Sequence, residues 1–404
     1  MPGPKERQSD VAWYTSGIMQ TERKQFFLAI AALIGSTIGV GVFGIPYAFS
    51  RIGLVPALAY VVVLGGIQLL QHLFYAEAAI ACPEPLRLAG LTGKYLGKRA
   101  RIAATVSTVL SYWGGMIAYI IVGGTFLHVL VGPFLGGEIF TYQIIWIAVA
   151  ASVVYFGLDI VSRVGFFATI GLIAAMVAIF VIGIPHVRPD NLPLVTGIDW
   201  LLPYGVVLFS LSGLPAVLEM EDILKGKHAR YRLAIVLGSL TAAALTTAFG
   251  VVVWGVTGAA TTSDAVSGLR LVMGPVIGTV GAIFGFFSTS TAFLAVATNL
   301  RSTFSYDYKF GKLTSWLLTV GPPFAVFLLG ANDFVGIIGF SGAVFGGITA
   351  ALVALLYIAV TTRQKVKEKR LGLPVWLAYV TIAVLSTGAL IEASSTIINI
   401  IRSG

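Results

Sequence analysis

The chain has 404 residues, of which 57% are hydrophobic and 11% charged, and its mean hydropathy is +0.93. That is too apolar for a soluble globular protein and leaves no room for a sizeable soluble domain; roughly ten to twelve spans of about 20 residues fill the sequence. The net charge of +9 is spread over short loops, which orientation in a membrane explains better than nucleic-acid binding, and the lone cysteine, Cys82, excludes an internal disulfide.

Residues 1–24 are polar and mixed in charge and read as a cytoplasmic tail. Apolar runs follow at 26–49, 54–80, 102–131, 142–158, 164–184 and 200–223, then at 231–258, 271–298, 313–330, 334–360 and 374–400. These eleven predicted spans make an all-α polytopic membrane protein. With the N-terminus inside, 22 Lys and Arg residues fall on the cytoplasmic side and only Arg51, Arg188, Arg270 and Arg402 outside. Positive charge is retained in the cytoplasm, so the C-terminus is predicted outside a cytoplasmic membrane.

The first span is interrupted at Gly35-Ser36-Thr37-Ile38-Gly39-Val40-Gly41, followed by Pro46. Unwound backbone is tolerated inside a bilayer only where it is buried in protein or lines a cavity, so the interruption points to a binding site. The sixth span repeats it at Phe209-Ser210-Leu211-Ser212-Gly213-Leu214-Pro215. Matched breaks in spans one and six are the trace expected of an inverted repeat. The domain reading is therefore a first five-helix repeat over 25–184, a second, inverted one over 198–360, and a peripheral eleventh helix at 374–400.

Half-helix ends offer N–H groups to anions and carbonyls to cations. The amides around Gly39, Val40 and Gly41 suit a carboxylate, the carbonyls of Phe209 and Ser210 suit an ammonium, and Ser36, Thr37 and Ser212 add uncharged hydroxyls. That set adds no charge and suits a net-neutral substrate. Tyr112, Tyr119, Phe209 and Phe287 are candidate walls for its side chain, although an aromatic in a membrane helix more often packs or faces lipid. Ser288-Thr289-Ser290-Thr291 covers every face of one turn; either it approaches a cation or its hydroxyls bond the preceding turn. His72 and His128 are isolated, and no metal-ligand spacing, catalytic triad or phosphate loop occurs.

The chain resembles the amino acid/polyamine/organocation transporter superfamily, especially the hydroxy and aromatic amino acid permeases and the amino acid/auxin permeases. Gly35 to Gly41 with Ile45-Pro46-Tyr47-Ala48 is similar to the signature of their first helix. Tyr95-Leu96-Gly97-Lys98, Ala118-Tyr119-Ile120-Ile121-Val122-Gly123-Gly124, Gly213-Leu214-Pro215 and Arg232 to Ser239 follow in the family's order. The resemblance implies a LeuT-like fold with helices 1 and 6 broken, and secondary transport of an amino acid by alternating access, driven by a sodium or proton gradient. It implies a sodium site in which carbonyls at the first break, Gly35 and Ile38, meet Ser288 and Thr289 or Thr289 and Ser290. Glu77 and Glu219 are the candidate gate or proton-linked residues. Span five has no lysine to replace sodium, and its absence leans toward sodium. An exchanger or passive facilitator without ion coupling is the alternative; no catalytic cluster within a span supports an enzyme. No cofactor is expected apart from sodium, and the partners expected are the amino acid and the bilayer.

Overall fold

The computed structural model describes residues 22–82, 84, 86–156, 158–197, 199–224, 227–363 and 373–403. Residues 1–21 of the predicted tail lie outside them, and residues 22–24 already belong to the first helix. Among the described residues every regular element is helical.

Helix α1, Glu22–Thr37, and helix α2, Gly41–Ile52, meet at a bend of 58°. Local chemistry ends α1: Thr37 Oγ1 turns back onto the Leu33 carbonyl at 2.8 Å, and the Gly39 N–H closes on the Thr37 carbonyl at 2.8 Å. Helix α3 (Leu54–Ala81), the short α4 (Leu88–Leu96), the long α5 (Lys98–Leu135), α6 (Ile139–Phe156) and α7 (Leu158–Gly183) follow.

The second break separates α8, Leu202–Ser210, from α9, Leu214–Leu224. Pro215 has no N–H for the Leu211 carbonyl one turn back, so the helix ladder cannot run through. Beyond it come α10 (His228–Thr257), the short α11 (Val266–Met273), α12 (Pro275–Ser302) and α13 (Lys312–Leu328). Helix α14, Phe334–Phe340, then passes through a π-helical turn at Ser341–Gly346 into α15, Gly347–Arg363, and α16 is Val375–Ser403.

Among the described residues eight helices are long and apolar enough to cross a membrane, and the bent pair α1 and α2 makes a ninth. Residues 170–186 and Lys312–Leu328 form shorter apolar helices. Three elements differ from the sequence reading. Helices α4 and α11 occupy what reads as loop, and the π turn is a third irregularity inside a span that reads as continuous.

Several helix ends that carry Lys or Arg are tied by ion pairs and hydrogen bonds. Lys227 and Arg230 pair with Glu22 at 2.7 and 2.6 Å, tying the start of α10 to the start of α1. Asp307 accepts the backbone amides of Arg87 at 3.1 Å and Gly90 at 2.9 Å, anchoring α4, and Arg101 bonds the Asp307 carbonyl. On the far side of the breaks an aromatic cluster packs. Phe43 of α2 packs on Phe126, Phe249 and Phe284 at 4.8, 5.7 and 5.2 Å between ring centres, and all four are fully buried. Burying such rings stabilises this half by roughly 1.5–3 kcal/mol each.

Candidate substrate site

The two breaks face each other across a cavity of about 60 Å³. At about 10–15 Å³ per water, it holds roughly four to six waters. The walls come from α1, α3, α5, the α8–α9 break and the π turn: Ser36, Thr37, Gly39 and Gly41; Gln68 and Gln71; Tyr112, Gly115 and Tyr119; Phe209 and Ser212; Gly342 and Gly346. A second pocket of about 10 Å³ shares Tyr112 and Leu214 and passes Tyr75 and Asn299 toward α4. The two cavities thus adjoin at Tyr112 and Leu214.

Backbone groups at the breaks divide as the helix ends require. Gly39 spends its N–H on Thr37, whereas the amides of Val40 and Gly41 have no acceptor among the described residues. On the opposite side, Leu211 keeps a helical bond to Val207 at 3.0 Å and Ser212 bonds Phe209 at 3.2 Å. The carbonyl of Leu208 receives Gln68 Nε2 at 2.6 Å. No N–H reaches the carbonyls of Ser210 and Leu211 among the described residues. The first break therefore carries free donors and the second free acceptors, the polarity a carboxylate and an ammonium need; of these four residues Gly41 lines the cavity.

Several side chains also lack partners. Ser36 Oγ and Gln68 Oε1 are buried without one, and Gln68 is only 6% exposed. A buried unsatisfied polar atom costs about 1–3 kcal/mol, so its presence in a cavity wall marks a group waiting for a ligand. Tyr119 is buried, and its hydroxyl stands 3.1 Å from where a Gly39 side chain would begin.

Of the residues expected in the site, Ser36, Thr37, Gly39, Gly41, Tyr119, Phe209 and Ser212 line the cavity, with Tyr112 as a further wall. Val40 is not among the lining residues, although its amide is free. Ser210 does not turn its hydroxyl inward, because that hydroxyl bonds the Val206 carbonyl of its own helix at 2.7 Å. Gly213 is committed elsewhere: its N–H donates to His72 Nε2 at 3.0 Å. Phe287 points away from the cavity onto Gly171 of α7.

Sequence reasoning missed Gln68, Gln71 and His72. The first two had a signal, since paired amides at this depth of a span are expensive unless used. His72 has none in the sequence. Its ring accepts from Gly213, so its proton sits on Nδ1 and is donated to Ser239 Oγ at 3.0 Å. The isolated histidine of the sequence reading is a bridge between α3, the second break and α10.

The hydroxyl cluster on α12 meets the first break through one residue. Ser288 Oγ donates to the Ile38 carbonyl at 2.9 Å. Thr289 turns to Gly285 and Phe286, Ser290 to Phe286, and Thr291 to Phe287 and Ser288, all within their own helix. As placed, the cluster offers a cation two oxygens, Ser288 Oγ and Ile38 O. That is an incomplete sodium shell. Glu77 is buried on α3 and engaged within the protein. Glu219 is exposed on α9, with Arg87 and Asp222 the charges near enough to act on it.

Helices interrupted around a central cavity that sorts donors from acceptors define a membrane transporter rather than an enzyme. The chain belongs to the tryptophan/tyrosine permease family, whose pattern matches residues 22–394. It is 24% identical over 390 residues to tyrosine-specific transport system 1 of Haemophilus influenzae, covering 89% of this chain and 93% of that protein. Over 96 residues it is 29% identical to amino acid transporter AVT6D of Arabidopsis thaliana, covering 24% of this chain and 22% of that one. Among solved structures, Mhp1, a nucleobase-cation-symport-1 family transporter in a closed conformation with bromovinylhydantoin bound, shares the fold. The TM-score is 0.62 at 16% identity, over 93% of this chain and 91% of that chain. The expected kinship with amino acid permeases and the LeuT-like architecture both stand.

Proposed function

We propose that the protein carries an aromatic amino acid across the cytoplasmic membrane by alternating access, in symport with an ion. The observation behind this reading is that the two breaks bordering one cavity carry opposite backbone groups, free amides at Val40 and Gly41 and free carbonyls at Ser210 and Leu211. The substrate carboxylate sits on the first pair and its ammonium on the second, and neither needs a charged protein group. The ring lies among Tyr112, Tyr119, Phe209, Gly115 and Gly346, where the glycines leave flat slots beside aromatic faces. Family membership and the Haemophilus relative favour tyrosine within this class.

The cavity is smaller than the roughly 300–1,000 Å³ that encloses drug-sized ligands. Phe209 and Tyr119 therefore swing aside when substrate enters. The packed Phe43 cluster is the closed outer gate, and the path past Tyr112 is the cytoplasmic route, with the N-terminus inside and the C-terminus outside. Two five-helix halves, 25–184 and 198–360, are the inverted repeats that rock against each other, with 374–400 peripheral.

A proton gradient is the preferred drive, because the hydroxyl cluster offers a cation only two oxygens, Ser288 Oγ and Ile38 O, which outweighs the lean toward sodium from span five. Sodium at the contact of Ser288 with Ile38 is the second reading, because that contact brings α12 to the first break.

The test is thermal-shift stabilisation of the purified protein by tyrosine, tryptophan, phenylalanine and leucine, in sodium and again in potassium. An aromatic amino acid at a hundredfold excess over its dissociation constant is expected to add about 2.7 kcal/mol, and leucine nothing. Equal stabilisation by all four, or by none, contradicts the reading; dependence on sodium favours the second drive.

A further inference from the structure

His72 is the one imidazole that touches the working parts of the fold. It is 1% exposed, sits on α3 beside the cavity-lining Gln71, and holds the Gly213 amide at 3.0 Å through Nε2 and Ser239 at 3.0 Å through Nδ1. Gly213 is the residue between Ser212 and Leu214, both of which line the cavity. A side chain at Gly213 would run into Thr37 Oγ1 and Leu33 of α1. The ring thus reaches the point where the two broken helices come together.

We propose that His72 is the proton-carrying residue of the transport cycle, binding and releasing one proton at Nε2 in alternation with the Gly213 amide. The inference rests on the transport reading above. Nε2 has a single lone pair. In the arrangement seen, Gly213 occupies it; when Nε2 takes a proton, that lone pair becomes an N–H bond and opposes the Gly213 N–H. Two donors do not share a 3.0 Å contact, so protonation releases the start of α9 while Nδ1–H stays on Ser239. Movement of Ser212 and Leu214 as substrate enters opens the ring to cavity water, the route by which the proton arrives and leaves, and protonation then keeps the hinge released. Return of the Gly213 amide to Nε2 follows loss of the proton to the other side.

No charge competes with this role. The titratable and charged groups on the elements packed round the ring are Tyr60, Tyr75 and Glu77 on α3, Glu219, Glu221 and Asp222 on α9, His228, Arg230, Tyr231 and Arg232 on α10, Glu22, Arg23 and Lys24 on α1 and Tyr357 on α15. None of them is hydrogen-bonded to the imidazole, whose two nitrogens are taken by Gly213 and Ser239. The hinge bond is therefore the contact that a proton at His72 changes.

The test uses the full chain in proteoliposomes. In the wild type, tyrosine uptake carries protons inward, and a pH difference of about one unit sustains about tenfold accumulation for each proton carried. His72→Gln keeps an acceptor for Gly213 and a donor for Ser239 but does not titrate. Counterflow of labelled tyrosine is expected to persist in this variant, while the pH gradient no longer concentrates tyrosine and tyrosine no longer moves protons. Accumulation by His72→Gln at the wild-type level under a pH gradient, or wild-type uptake without proton movement, overturns the assignment. Should His72→Gln lose counterflow too, Ser239→Ala decides: a shifted pH midpoint of uptake supports the role, and an unchanged profile overturns it. Absence of counterflow in the wild type with every aromatic amino acid is failure of the transport reading instead.

Discussion

Gly41 and Ser210 face each other where the two broken helices meet: a side chain begun at Gly41 would stand 2.6 Å from Ser210 Oγ and 2.8 Å from Ser210 Cα. This contact sets the spacing of the free amides at Val40 and Gly41 from the carbonyls at the end of α8. It also brings Phe209 to within 2.9 Å of the same point. The distance between the donor wall and the acceptor wall is held by the absence of one methyl group.

Gly41→Ala is accordingly expected to push α2 and α8 apart and displace both walls. Overpacking a well-filled contact costs about 1–3 kcal/mol, and here the loss falls on the bound zwitterion. Tyrosine binding measured by thermal shift should weaken tenfold or more, by about 1.4 kcal/mol per factor of ten, with the fold retained on gel filtration. Wild-type affinity in this variant would show that the contact does not position the site.

Gln68→Leu removes the donor that covers the Leu208 carbonyl and the acceptor that faces the cavity. The stranded carbonyl costs about 1–3 kcal/mol, visible as a lower melting temperature. Tyrosine uptake should fall as well. Gln68→Glu keeps shape but places an anion by the cavity, so its uptake should be lower still at neutral pH than at acidic pH.

Ser288→Ala deletes the hydroxyl that joins α12 to the Ile38 carbonyl at 2.9 Å. A net cost of about 0.5–1.5 kcal/mol is expected, with aromatic amino acid binding retained if the contact is structural. Ser290→Ala is the control, because its hydroxyl bonds only Phe286 of its own helix. Loss of a sodium effect in Ser288→Ala alone would assign the coupling ion to this contact.

The breaks were legible because their causes are local. Glycines and back-bonding hydroxyls stop α1, and Pro215 withholds an N–H from α8. What the residues at the breaks do was less legible, because their partners are distant in sequence. Gly213 looks like a substrate ligand until His72, 141 residues away, takes its amide. Ser210 looks like an inward hydroxyl until its rotamer turns it onto Val206, a choice no sequence pattern encodes. Phe287 has the right chemistry for a pocket wall, but its helix rotation directs it to Gly171. The π turn at Ser341–Gly346 lay in a glycine-rich apolar run of ordinary membrane composition, so Gly342 and Gly346 gave no sign that they border the cavity.

The measurement closest to the central claim is counterflow. Proteoliposomes holding the purified chain and loaded with unlabelled tyrosine are diluted into trace labelled tyrosine with no ion gradient. A carrier with one alternately exposed site is expected to draw labelled tyrosine inward above its outside concentration, transiently, and Gly41→Ala to abolish the overshoot. Entry that only equilibrates, or no entry with tyrosine, tryptophan or phenylalanine, would contradict the account.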